Sequence, residues 1–197
     1  MIDLALDFIC KQVNAYLCMK LSINDGSTLI QLANISWNDS ESVSANGGDR
    51  SNAFISLVNI EEDRISKSPQ NYVRSAGGDV IYKNPKIYLN LYLLFSVNLT
   101  SYSESLKRLS YIIQFFQYKN VFNSTNSPDI PAGIDELILD LLTLSYQDLN
   151  NLWGIMGSKY LPSAMYKLRL ITIDENFMQG TAGIITEVIV NDKTLQQ

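Results

Sequence analysis

The sequence contains no histidine, and only two of its 197 residues are cysteines. Histidine performs general acid–base catalysis near neutral pH more often than any other side chain, so its absence excludes the commonest hydrolase arrangements. A zinc site without histidine would need a cluster of cysteines and carboxylates, which the sequence does not contain. We therefore expect a protein that is not an enzyme, with no catalytic residue, no metal and no cofactor.

The two cysteines, Cys10 and Cys18, both fall within the first predicted helix. Eight helical positions separate them by about 12 Å along the axis, which is too far for a disulfide. We expect two free thiols that act as small buried hydrophobic side chains, as is usual in a reducing compartment.

Positive charge and long apolar runs are also lacking. The net charge is −5, and only Lys107 and Arg108 are adjacent, whereas binding to nucleic-acid phosphates needs clustered basic residues. No apolar run is long enough to cross a bilayer, and the first residues, MIDLALDFICK, include acids and no basic leader. We expect no nucleic-acid partner, no direct membrane insertion and synthesis in the cytoplasm. With 18% charged and 46% apolar residues, the composition favours buried interfaces.

The remaining candidate motifs have ordinary structural interpretations. The glycine pairs at 47–48 and 77–78 lack the lysine and hydroxyl residue of a phosphate-binding loop, so they predict turns. The acidic run at 61–63 alternates between the two faces of a strand and is best interpreted as a solvated strand end. Asp174 and Glu175 are typical of surface residues. A small cytosolic enzyme that uses carboxylates alone remains a less favoured alternative.

Apolar spacing predicts three helices. The first begins at Ile2 and ends at the turn of residues 24–26. The second begins at Ser101, which forms a capping box with Glu104. Its apolar stripe consists of Tyr102, Leu106, Leu109, Ile112, Ile113 and Phe116. The third begins at Ser145, with Asp148 in its first turn.

Alternating apolar residues predict strands. The strongest lies at residues 87–97, and we expect it to be a central strand with helices on its apolar side. Further strands are predicted at residues 28–37, 53–60, 134–144 and 163–174, with a weaker one at 183–191. Polar stretches at 38–52 and 61–84 predict loops, the first of them mobile in the free subunit.

This order of elements predicts the α+β class. We expect a single domain at residues 1–175, with a mostly antiparallel or mixed sheet and helices packed on it. Residues 176–197 would form a C-terminal arm, or an edge strand of the same sheet.

An aromatic and proline junction lies between the third helix and the strand at 163–174. Aromatic residues are enriched both in cores and at the centres of interfaces. We favour core packing for Trp153 over interface anchoring, and we consider Tyr160 the better interface contact. The full set of interface candidates is Trp153, Tyr160, Leu161, Pro162, Tyr166, Lys167 and Arg169.

The second half of the chain carries a family resemblance. The matching residues are Gln114, Phe115, Phe116, Pro131, Gly133, the ranges 149–153 and 159–163, Tyr166, Ile173 and Asp174. In this order and spacing they resemble the tail-terminator, or cap, proteins of extracellular contractile injection systems of the antifeeding-prophage type. The resemblance extends from Met1 to about Asp174 and is dense only in the second half.

The resemblance implies a tail-terminator-like fold and a structural function. It implies a homohexameric ring that docks on the last inner-tube and sheath subunits and ends polymerisation, as part of a released or membrane-anchored particle. The segments expected to contact partners are 61–84 and 176–197, and less firmly 38–52. The alternative within the same particle is a tube or baseplate adaptor that joins dissimilar rings.

Overall fold

A computed structural model describes residues 1–23, 26–35, 52–65, 72–74, 80–83, 86–157, 159–173 and 178–182. This part of the chain contains three helices, namely α1 (Ile2–Leu21), α2 (Tyr102–Tyr118) and α3 (Tyr146–Met156). It also contains nine strands. These are β1 (Ile30–Leu32), β2 (Asn52–Glu62), β3 (Tyr72–Arg74), β4 (Val80–Lys83), β5 (Ile87–Asn98), β6 (Val121–Asn123), β7 (Glu136–Leu142), β8 (Ser163–Ile173) and β9 (Met178–Ala182).

The strands form two sheets. The main sheet has six strands in the order β1-β2-β5-β8-β7-β6, and the second has three in the order β3-β4-β9. Only β1 and β2 pair in parallel, so the sheets are mostly antiparallel and the α+β prediction is confirmed. The loop predicted at 61–84 is wrong in part, since β3 and β4 lie within this stretch.

The strands of the second sheet are next to β2, β5 and β8 along the chain. Along the chain β3 follows β2, β4 precedes β5, and β9 follows β8, and each keeps the same neighbours. Ile87 pairs with Ile173 in the main sheet, and Lys83 pairs with Met178 in the second. Along the chain, Lys83 and Ile87 are four positions apart, and Ile173 and Met178 are five positions apart. We call β3, β4 and β9 the three-stranded extension.

The helix ends follow the capping signals in the sequence. The hydroxyl of Ser101 accepts a hydrogen bond from the Glu104 N–H (3.4 Å), and that of Ser145 accepts one from the Asp148 N–H (3.2 Å). Helix α1 ends at Ser22, whose φ of 54° is left-handed, two residues before the predicted turn. Residues 24 and 25 of that turn lie outside the described residues.

The main core lies between the main sheet and helices α1 and α2. Its centre is Phe95, whose ring packs edge-on against Phe116 (centroids 5.1 Å apart) and Tyr166 (5.4 Å). The fully or nearly buried residues of α2 are Ser105, Ile112, Phe115 and Phe116.

The predicted stripe of α2 is wrong at the start of the helix, where Tyr102 and Leu106 are exposed. Ser105 turns inward instead, because its hydroxyl accepts from the Leu99 N–H (3.1 Å) and donates to the Ser101 carbonyl (3.2 Å). These bonds tie the first turn of the helix to the chain that leaves β5.

Replacing Phe95 with alanine is expected to lower the free energy of unfolding by about 3–5 kcal/mol, because it opens a cavity between two packed aromatic rings. Denaturant unfolding followed by circular dichroism measures this loss. Tyr118→Ala on exposed α2 surface is the control and should change stability by less than about 0.5 kcal/mol. Equal effects of the two substitutions would contradict this core assignment.

Candidate assembly interface

Helix α3 covers part of the sheet face that α1 and α2 leave free. Trp153 is only 7% exposed and packs in a second cluster with Ile35, Phe54, Leu94 and Met165. This agrees with the core interpretation of Trp153. Its indole N–H is buried without a hydrogen-bond acceptor among the described residues.

The junction between α3 and β8 points one aromatic ring outward. Helix α3 ends at Gly157, whose φ of 64° is readily adopted by glycine. Pro162 is buried, and its carbonyl accepts a hydrogen bond from the Val97 N–H (3.0 Å) at the end of β5. Tyr160 packs its ring against Trp153 (centroids 5.6 Å apart) but remains 62% exposed. Of the predicted junction residues, Tyr160 is thus the best placed to contact a partner.

Tyr166 lies in the main core. It is 2% exposed and contacts the rings of Phe95 and Phe116. Burial raises the pKa of its phenol to about 12, so the side chain is neutral at physiological pH. The side chain of Tyr166 is therefore not accessible on the surface of the subunit. Trp153 and Pro162 are also buried, and Leu161 is half-buried.

Beyond the end of α3, the same face of the main sheet carries polar groups. The Tyr92 hydroxyl on β5 donates a short hydrogen bond to the Glu61 carboxylate on β2, and the Lys167 ammonium on β8 lies 3.5 Å from that carboxylate and over the Tyr92 ring. The hydrogen bond from Tyr92 and then the charge of Lys167 lower the pKa of Glu61. The 61–63 run is thus a strand end in which Glu61 is exposed and the other two residues are partly exposed. The Glu61 carboxylate also interacts with side chains on β5 and β8.

The row of polar contacts continues onto β7, where Arg169 pairs with Asp140 at 2.5 Å. Both side chains are about half exposed, so this pair contributes little to stability but fixes charge in place. At the Glu61 end of this row lies a cavity of about 480 Å³. It is lined by Glu61, Glu62, Asp63, Arg64, Ile65, Asn90 and Lys167. The Asn90 side-chain oxygen is buried there without a donor among the described residues.

Three apolar side chains on or beside α3 are exposed and were not among the predicted candidates. Tyr146 is 93% exposed and Ile155 86%, and Leu141 at the end of β7 is more than half exposed. Nearby lies an apolar groove of about 260 Å³ between the end of β7, α3 and the start of β8. The exposure of Ile155 could have been predicted from the sequence. At about 100° per residue it lies about 200° around the helix from Trp153, so it faces away from the core when Trp153 is buried.

The structure brings together parts of two segments that were expected to contact partners. Strand β4, from the 61–84 segment, pairs with β9, from the 176–197 segment, within the three-stranded extension. The weaker strand predicted at 183–191 and most of the 38–52 loop lie outside the described residues.

Clustered metal ligands and membrane-spanning helices are also lacking in the part of the chain that the structure describes. It contains no group of three His, Cys, Asp or Glu side chains arranged to bind a metal ion. None of its helices combines the length and the apolarity that a membrane span requires. Cys10 and Cys18 are free thiols, as predicted.

Replacing Tyr92 with phenylalanine is expected to raise the pKa of Glu61 towards its ordinary value, because the largest cause of its lowering is removed. A carboxylate with a lowered pKa stabilises the fold above its unfolded pKa, and this contribution is lost as the pH falls through the lowered folded value. The variant should therefore be less stable than the wild type at neutral pH, with the difference vanishing in acid. Carboxyl NMR titration checks the pKa, with Tyr88→Phe on the same strand as control, and an unchanged Glu61 titration would contradict the contact.

Comparison with known proteins now identifies the family. A model of the Pvc16 N-terminal domain family matches residues 9–187. No protein with a curated description matches the sequence.

Two structures solved by cryo-EM share the fold. One is the sheath/tube terminator of an extracellular contractile injection system, PVC, in the extended state, with a TM-score of 0.57 and 17% identity. The other is the tube-terminating cap of the anti-feeding prophage, with a TM-score of 0.55 and 13% identity. Each match covers 96% of this chain, which spans 62% and 60% of the two solved chains, respectively. The protein therefore belongs to the Pvc16 N-terminal domain family.

Proposed function

We propose that the protein is the tail terminator of a phage-tail-like contractile injection system, forming a ring that docks on the last tube and sheath layer and ends polymerisation. The observation that carries the proposal is the fold. Nearly the whole chain matches two proteins that terminate the tube of such a particle, and the family model spans most of the same residues.

The proposed oligomer is a homohexameric ring. A ring needs two different surfaces on each subunit, so that every copy binds the next head to tail and the last closes on the first. The described residues offer exposed apolar side chains on opposite layers, with Tyr146, Ile155 and Tyr160 at α3, and Met19 and Tyr118 on α1 and α2. We propose that the α3 side forms one half of the contact between neighbouring subunits.

The proposed mechanism of termination is steric. One end of the ring binds the last layer of tube and sheath subunits, and the other end presents no surface on which a further layer can assemble. Such a role needs no catalytic residue, which accords with a chain that has no histidine. We further propose that the protein is made in the cytoplasm and becomes part of the assembled particle.

The ring is tested by the mass of the purified protein, measured by light scattering coupled to size exclusion, with negative-stain imaging of the peak. A six-fold ring supports the proposal. Termination is tested by adding the protein to polymerising tube subunits and measuring tube length. Tubes that grow to the same length with and without the protein would overturn it.

Ile155→Lys is expected to weaken ring assembly by at least about tenfold, because burial of an isoleucine contributes about 1.5–3 kcal/mol and the lysine would bring a charge into the contact. The side chain is exposed in the subunit, so the fold should be unaffected. Gln147→Lys, on exposed α3 surface with the same change of charge, is the matched control. A hexamer of normal stability in the Ile155 variant would exclude α3 from the subunit contact.

Deletion of residues 176–197 is expected to leave a folded subunit that no longer caps. Among the described residues the main sheet uses none after Ile173, and β9, the described part of the deleted segment, pairs only with β4. Circular dichroism and unfolding midpoints check the fold, and electron microscopy checks tube length. Normal control of tube length by the folded, truncated protein would contradict a partner contact in this segment.

A further inference from the structure

The two outer strands of the main sheet, β1 and β6, are only three residues long. An outer strand has one side without a neighbour, and its unpaired N–H and C=O groups attract strands from other molecules. In this protein a side chain binds backbone groups on that side at each end of the sheet, the amide of Asn126 at β6 and the thiol of Cys10 at β1.

At the β6 end the amide belongs to Asn126. Its Nδ2 donates to the Val121 carbonyl (2.9 Å), and its Oδ1 accepts from the Asn123 N–H (3.1 Å). The next outward group, the Asn123 carbonyl, accepts from the Ser127 N–H (2.9 Å). Asn120, whose carbonyl accepts from Leu139, faces the neighbouring strand β7 instead. Three consecutive outward groups of β6 are therefore bound within the subunit.

The turn after β6 is built to hold this amide. The Asn123 side chain accepts from the N–H groups of Thr125 (3.1 Å) and Asn126 (3.0 Å), which folds the chain back over the strand. The Lys119 ammonium donates to the Asn126 carbonyl (3.0 Å) and lies over the Phe122 ring. A lysine beside an outer strand is itself a common protection against strand addition.

At the β1 end the outward backbone groups are those of Ile30 and Leu32, since the Leu29 carbonyl accepts from the Ala53 N–H of β2. On the segment before β1, the Asn14 amide of α1 binds the Ser27 carbonyl (2.9 Å) and the Leu29 N–H (2.8 Å). The Cys10 thiol, one turn earlier on α1, donates to the Ile30 carbonyl (3.4 Å). Burial raises the pKa of this thiol to about 11, so it keeps its proton and remains a donor.

The β6 end therefore carries the complete device. One asparagine amide binds the Val121 carbonyl and the Asn123 N–H, groups that an added strand would bind. We propose that Asn126 acts as a plug that closes the β6 end of the main sheet, so that the subunit joins neighbours without lengthening this sheet at β6. The proposal concerns the isolated subunit and holds whether or not the protein caps a tube.

The test uses the full chain with Asn126→Ala, which frees the Val121 carbonyl and the Asn123 N–H at the outer side of β6. The freed backbone groups can form hydrogen bonds to a second copy of the protein. The association constant for β6-to-β6 pairing should therefore increase by a factor of about 5–30. A cysteine at Val121 and a short thiol cross-linker report this contact specifically, apart from any ring contact. Thr125→Ala in the same turn is the matched control, and both substitutions are made with and without Val121→Cys.

An increase in the amount of cross-linked dimer in Asn126→Ala, but not in Thr125→Ala, supports the plug. A folded Asn126→Ala protein that cross-links no more than the control overturns it. If the variant unfolds, amide hydrogen exchange of the wild type decides, since the plug requires the Asn123 N–H to be protected despite its place on an outer strand. Exchange of that amide at the rate of an unprotected N–H would overturn the proposal.

Discussion

Burial of strand β5 on both faces is the constraint on which the rest of the fold depends. Leu91, Leu93, Phe95 and Val97 point into the core under α1 and α2, while Leu94 points into the cluster under α3. A strand enclosed in this way has to bind its backbone groups to neighbours on both sides, and it pairs with β2 and β8 along most of its length. The helices then differ in role, since two of them build the main core and the third closes only one end of the opposite face.

Local signals in the sequence predicted most of this arrangement. The capping residues Ser101 and Ser145 and the alternation at 87–97 and 163–174 located two helices and the two longest adjacent strands, because those signals act within a few residues. The three-stranded extension could not be predicted in this way. Strand β9 pairs with β4 across a long stretch of chain, and three to five residues carry too little periodicity to indicate a strand.

The candidate interface likewise has some features that the sequence predicted and others that it did not. Burial of Trp153 and exposure of Tyr160 follow from their positions on either side of a helix end, and both were anticipated. The contact of Glu61 with Tyr92 and Lys167 depends on the register of three strands, which no local pattern specifies. Tyr166 was named as an interface candidate because it flanks the same junction, but in the subunit it packs against Phe95 in the core.

The distribution of apolar and backbone groups over the subunit suits a protein that binds neighbours without propagating them. Apolar side chains remain exposed on helical surfaces, where a contact depends on the shape of the partner. The outer strands are short, and at β6 the Asn126 amide binds the outward backbone groups with which any extended chain could otherwise pair. Contacts through side-chain surfaces discriminate between partners, whereas contacts through backbone groups do not. A subunit that ends a polymer would benefit from leaving only the discriminating surfaces available.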